Sequence, residues 1–456
     1  MDSSAAISSD NRSAPALRSL RTVYFVLVGL YLLAMAWVWG GIIHSSGSRY
    51  IGLAPIQALG FAGTASVLFA VVFPRLQRVI EFRLRISSDA IAIWLVVLVT
   101  TLIMLHWVAL GHIPVLAAFA AHDETQAALI RDSILRTGIP LLGYIPTLTI
   151  WSGIPFLGIY FIHRRQYKLS WLILFIGFLY ALSLMQKSYP LIVLAPPALY
   201  CLLTRRFTRM ALIVAMAASG VLILFFAANP HLRPLPRTAI QNSPSVQQAP
   251  TLAPAPPVPS SPENLRQVAG VTTSSLLHRV LLLPGDVVAQ WFATFPDKID
   301  YEEGCGYRFV ARLLGCEFKN NPEQLYAMYY PESFHAGVQG TYNAAHFAEE
   351  YANFGPMGLA LSGILAAVAL AMAAIATCRA GLPAAIALNL SAIMALTSGA
   401  LHTTLLSGGW MTVMVLAYAL YPPAAPALRG NLRKVEKTRG DAGDDLSDAG
   451  QAAKAC

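Results

Sequence analysis

Charge is what this sequence has least of. Only 12% of its residues are Asp, Glu, Lys or Arg, while 56% are hydrophobic. A water-soluble globular chain carries about 25% charged residues. Half that density excludes a chain whose surface mostly faces water, so lipid is the expected solvent for much of it. Acid and base are also missing from the middles of the long apolar runs. That counts against a proton-driven transporter, whose pathway needs ionisable groups inside the membrane. Cysteine is scarce, at five residues, and no Asp-x-Asp pair occurs. The expectation is chemistry without a metal or other cofactor.

What is present is a series of apolar runs. An apolar helix of about 20 residues crosses a bilayer. Spans are expected near 23–43, 51–73, 89–111, 138–162, 169–185, 189–203, 210–228, 353–377, 382–401 and 405–421. The fifth and sixth are short and share the turn Gln186-Lys187-Ser188-Tyr189-Pro190, so they can also be read as one hairpin that spans incompletely. The run from Val23 to Ile43 is too long for the core of a secretion signal, and no small-residue cleavage site follows it. The fold class read from this pattern is an all-α polytopic membrane protein with about ten transmembrane helices and one large periplasmic loop subdomain.

The net charge of +9 does not point to nucleic acid, because the basic residues sit in short clusters between apolar runs. With both termini cytoplasmic, the inside segments hold Arg12, Arg18 and Arg21; Arg75, Arg78, Arg83 and Arg85; Arg164, Arg165 and Lys168; Arg205, Arg206 and Arg209; Arg379; and Arg429, Arg433, Lys434, Lys437, Arg439 and Lys454. The short outside segments hold only Arg49, Arg131, Arg136 and Lys187. This asymmetry is the positive-inside pattern of a multi-pass protein of a bacterial inner membrane. The organisation that follows is a cytoplasmic tail (1–22), a membrane domain (23–228), a periplasmic loop (229–350), a second membrane segment (351–421) and a cytoplasmic tail (422–456). Within the loop, 229–262 is a proline-rich linker and 263–350 a folded, interfacial part.

The folded part of the loop is rich in aromatic residues, from Trp291 to Phe334. Rings among polar residues suit a small core at headgroup depth, and they also suit stacking on sugar faces. Cys305 and Cys316 both lie there, and an oxidising compartment favours a disulfide between them. It would close a loop around Tyr307, Arg308 and Arg312.

The stretch from Gly340 to Gly358 carries the best candidate chemistry. On a helix, His346, Glu349, Glu350 and Asn353 fall at i, i+3, i+4 and i+7, with Asn343 as a plausible N-cap. Such groups at the lip of a span can serve as a general base, or they can simply form the polar start of a membrane helix. Cations expected on the outside are few, so Lys187, Arg279 and Arg308 are candidates to hold an anion, with a surface role as the plain alternative.

The segment Phe347-Ala348-Glu349-Glu350-Tyr351-Ala352-Asn353-Phe354-Gly355, followed by Gly358, resembles the E-x-Y-A-N-F-G stretch of the Wzy-type oligosaccharide repeat-unit polymerases, the O-antigen and exopolysaccharide polymerase family. Lys187 and Pro190 after an apolar run, and His278-Arg279-Val280 to Gly285-Asp286, are similar to loops of that family. The spaced-arginine "R-x10-G" pattern of some members is absent, since Gln290 and Lys319 stand eleven residues past Arg279 and Arg308. The resemblance implies a metal-independent glycosyltransferase acting on undecaprenyl-diphosphate-linked oligosaccharide in the membrane lipid. Chain-length regulator and flippase proteins would be further partners. It also implies roles. His346 or Glu349 would act as base, with His335 in reserve, and Arg279, Arg308 and Lys187 would hold the diphosphate. An O-antigen-ligase-like transferase, a flippase or another non-enzymatic export component remain the competing readings.

Overall fold

Small residues set how closely the helices of this chain approach. In the computed structural model, which describes residues 14–75, 88–120, 130, 134, 140–186, 188–228, 282–335 and 340–421, every regular element is helical and no strand occurs among the described residues. The N-terminal half holds α1 (Ala14–Ser46), α2 (Ala54–Val67, prolonged by a π-type turn at Leu68–Val72), α3 (Ser88–Leu110) and α4 (Pro114–Ala120). It continues with α5 (Tyr144–Leu148), which runs through a second π-type turn into α6 (Ile154–His163), then α7 (Tyr167–Ser183), α8 (Tyr189–Leu203) and α9 (Phe207–Ala228). After the undescribed segment come α10 (Leu283–Thr294), α11 (Arg308–Leu314), α12 (Asn321–Tyr329) and α13 (Pro331–His335). The chain closes with α14 (His346–Thr377), α15 (Leu382–Ala395), α16 (Leu401–Leu405) and α17 (Trp410–Leu420).

Among the described residues, seven stretches are long and apolar enough to cross a membrane: Ser19–Ser46, Ile51–Arg75, Ser88–Ala120, Tyr144–His163, Phe207–Ala227, His346–Ala380 and Leu401–Leu420. Three further apolar helices, α7, α8 and α15, are shorter. The fifth and sixth expected spans are thus two separate helices of 17 and 15 residues. The ninth stops at Ala395 rather than continuing to 401, and the tenth starts as α16, interrupted at 406–409 before α17. Large apolar side chains such as Leu33, Trp94 and Val108 point outward from the bundle, as suits helices surrounded by lipid.

Two apolar clusters form the interior. One gathers α1, α2, α10 and α14, and the other α3, α6, α7, α8, α15 and α17. The most extensive pairing is α2 against α14. There Gly60 lies on the Ala360 carbonyl and Gly363 on the Gln57 carbonyl, so no side chain stands between the two backbones. Apolar side chains gain nothing by leaving lipid for each other, so close backbone packing must supply the attraction. A similar contact docks α10 on the end of α1, where a methyl on Gly41 would meet the Gly285 Cα at 2.9 Å. Across the second cluster, Arg164 grips Asp89 through Nη2 at 2.8 Å and Nε at 3.1 Å, tying α3 to the end of α6.

Residues 1–13 and 422–456, the Pro-rich linker 229–262, the segment from 263 to 281, Arg131, Arg136, Lys187, His278 and Arg279 lie outside the described residues.

Candidate functional site

The E-x-Y-A-N-F-G stretch does not continue smoothly into a span. Gly355 has φ 59° and ψ −144°, and α14 breaks there into an arm ending near Phe354 and a long helix beginning at Pro356. Only glycine adopts this backbone readily, and proline cannot continue the preceding hydrogen-bond ladder. The two arms are pressed together: Gly358 lies on the Glu350 carbonyl. The Tyr301 ring covers the break, so a methyl on Gly355 would sit 2.9 Å from its Cζ. The arm starts at Ala345 as N-cap, not Asn343, with no side-chain cap. Instead the His346 N–H bonds the Leu396 carbonyl at 2.9 Å, so the end of α15 does the work of a cap.

Because the arm ends at the break, its last carbonyls have no helical partner. The loop 301–307 takes them. Glu302 N–H bonds the Ala352 carbonyl at 3.1 Å and Glu303 N–H bonds that of Asn353 at 2.8 Å. The Asn353 carboxamide accepts from Gly306 N–H at 3.0 Å and donates to the Glu349 carbonyl at 2.9 Å. Tyr301 donates to the Tyr351 hydroxyl at 3.2 Å. Tyr351, Asn353 and Gly355 of the stretch therefore each have a structural task, which is to end the arm and bind the loop to it.

The Cys305–Cys316 disulfide, with Cα atoms 6.1 Å apart, closes that loop around α11. Gly315 ends α11 at φ 73°, and Lys319 N–H bonds the Cys305 carbonyl at 3.0 Å. This fixes Tyr307 over the arm. Burial pushes its phenol far above the ordinary tyrosine range, and the Glu350, Glu349 and Glu302 carboxylates beside it push the same way. The His402 ring meets Tyr307 edge-on at 5.3 Å.

Three carboxylates thus lie within electrostatic reach of one phenol. Glu302 and Glu350 are buried and Glu349 is half-buried. Burial raises the Glu302 carboxyl above its ordinary range, opposed by Asn321 and Lys319 nearby. No hydrogen bond of ordinary geometry reaches either Glu302 oxygen or Glu350 Oε2, although the Asn321 carboxamide stands near the first carboxylate and the Tyr307 hydroxyl near the second. Buried acceptors of this kind are costly unless a donor reaches them. The arrangement suits a ligand that brings hydroxyl protons. Among the described residues no three His, Cys, Asp or Glu side chains are placed to hold a metal ion together.

His346 faces the other way. It is fully buried, and its Nε2 stands 3.0 Å from the Tyr31 hydroxyl. Gln57 Nε2 donates to that hydroxyl at 3.3 Å, and Trp39 Nε1 donates to Gln57 Oε1 at 3.0 Å. The Tyr31 hydroxyl thus links the Gln57 carboxamide and the His346 ring in one buried chain of hydrogen bonds. Tyr31 stacks on Phe61, and Trp39 stacks on Phe347. His346 is therefore a junction of α1, α2 and α14.

The sequence-derived residues separate accordingly. Glu349 belongs to the carboxylate group. His335 is exposed on α13. Arg308 is exposed at the start of α11, its guanidinium 5.0 Å from the Phe318 ring centre. Sequence reasoning missed Glu302, which reaches the site from a loop far upstream of the arm. The one available signal is the tight Gly304-Cys305-Gly306 turn just after it.

Comparison with protein-family models, with curated proteins and with solved structures finds no match for this chain.

Proposed function

We propose that this chain polymerises undecaprenyl-diphosphate-linked oligosaccharide repeat units at the periplasmic face of a bacterial inner membrane. In this reading the seven long apolar stretches and the three shorter helices α7, α8 and α15 make ten spans. Both termini are cytoplasmic and 229–350 is periplasmic, which the distribution of arginine and lysine supports. The observation that carries the reading is the group of Glu302, Glu349 and Glu350 around Tyr307, built on the stretch that resembles the polymerase family.

The chemistry follows from those groups. The anomeric carbon–oxygen bond to the lipid diphosphate breaks, and a new one forms to a hydroxyl of the incoming unit. Glu349, the less buried acid, takes the hydroxyl proton, with Glu350 and Tyr307 beside it. Undecaprenyl diphosphate leaves with the bonding electrons, and cations must meet the charge that develops on it. Arg308, next to Tyr307 in the chain, is suited to this, as are Arg279 and Lys187 by sequence. The histidine roles are revised: His346 supports the arm from inside, and His335 has no part.

The test is the size profile of surface glycan and of its lipid-linked precursors in a strain lacking the gene. Loss of long chains with accumulation of single lipid-linked units is the expected result. Long chains that persist on the lipid carrier would refute polymerisation and favour a ligase or an export component.

A further inference from the structure

α11 presents its apolar side outward. Phe309 is 78% exposed, Leu313 76% and Leu314 59%. Phe309 and Leu313, at i and i+4, share one face of the helix, and Leu314 lies at its edge. α11 lies outside every stretch long enough to cross a membrane. It is nevertheless held in place, because the Cys305–Cys316 disulfide brackets it and Cys316 N–H bonds the Ala311 carbonyl at 3.0 Å. An exposed apolar face on a fixed helix marks a surface that something covers.

Two observations say what covers it. Val310, Leu314 and Phe354 converge at Gly304, so α11 rests beside the break in α14. From there the outward side of α14 stays apolar, with Met357 at 76% exposure and then Leu361, Ile364 and Leu365. Through Leu314 and Phe354, α11 thus adjoins the start of that apolar stripe. Charge is the second observation. Arg308 and Arg312 are exposed on the same helix and Lys319 just after it, against Glu303 and Glu317 nearby.

We propose that α11 is a membrane-docking element, in which Phe309, Leu313 and Leu314 enter the leaflet at the lip of α14 while Arg308 and Arg312 lie among anionic headgroups. Helices that lie in the interface combine an apolar face with flanking basic residues in this way. The disulfide makes the element stiff, so its depth fixes that of Tyr307, the next residue. The inference does not depend on which reaction the site carries out.

The test uses the full chain in nanodiscs of phosphatidylethanolamine and phosphatidylglycerol. Cys201, Cys378 and Cys456 are replaced by alanine, the disulfide is kept, and a nitroxide is attached at Leu313→Cys or, separately, at Glu317→Cys. Collision with oxygen and with a neutral nickel chelate is read by electron paramagnetic resonance. The expected result is a label at 313 favouring oxygen over nickel and a label at 317 showing the reverse. In the 313-labelled protein, Arg308→Ala with Arg312→Ala should make the label more accessible to nickel. Equal nickel access at both positions would place α11 in water and overturn the proposal. Exclusion of both reagents at 313 would mean that protein, such as a second copy of the chain, covers the face, which overturns it equally.

Discussion

The Tyr31 hydroxyl and His346 Nε2 stand 3.0 Å apart in a fully packed interior, joining the first helix to the start of an arm 315 residues later. The pair gives His346, one of the two candidate bases, a buried structural partner. It also ties the acidic arm to the bundle, since Glu350 lies near the same tyrosine.

Tyr31→Phe should therefore destabilise without touching the carboxylates. The change leaves His346 Nε2 without its hydrogen-bond partner and Gln57 Nε2 without its acceptor. Leaving a buried polar group unsatisfied costs about 1–3 kcal/mol. The expected outcome is a lower thermal midpoint for the purified protein in detergent, while polymer made in cells falls only with the amount of folded protein. A normal midpoint with lost activity would return His346 to the chemistry.

Glu349→Gln should act in the opposite sense. Loss of a general base reduces rate by about 10²–10⁴-fold. The variant should fold, insert and reach normal levels, yet leave short glycans in a complemented deletion strain. His335→Ala, at an exposed position, should restore the full ladder. Long glycan from Glu349→Gln would remove the residue from the mechanism.

Gly355→Ala tests the break. Its φ of 59° strains any side chain, and the new methyl would meet Tyr301. Backbone strain of this kind costs about 1–3 kcal/mol. Gly63→Ala is the control, because nothing lies within 4 Å of the added methyl and an interior helical glycine is less stable than alanine. Midpoints should fall for the first and hold or rise for the second. Equal midpoints would show that the break tolerates a side chain.

The Glu302 carboxyl gives a pH prediction. Its folded value is raised by burial, so the folded state binds the proton more tightly than the unfolded chain. Its contribution to stability is thus greatest below the ordinary carboxylate value and declines as pH rises through the raised one. Thermal midpoints recorded between about pH 4 and pH 8 should fall more for the native protein than for Glu302→Gln, which cannot ionise. Parallel profiles would show that Glu302 stays solvated.

The sequence by itself determined the helical membrane architecture, because crossing lipid requires long apolar helices whose backbone groups are satisfied within the segment. That requirement is local, so it is written in consecutive residues such as Val23 to Ile43. The i, i+3, i+4 and i+7 spacing around His346 was local too, and it located the arm. Tertiary structure decided the rest. Spacing cannot say which side of a helix meets the core, so only the positions of Tyr31 and Gln57 turned His346 inward. The break at Gly355 follows from a glycine–proline pair, but its use depends on the loop 301–307, whose amides reach the carbonyls that the break leaves open. Glu302 enters the site through that long-range pairing, which no periodicity records, because its partner Ala352 lies fifty residues further along the chain.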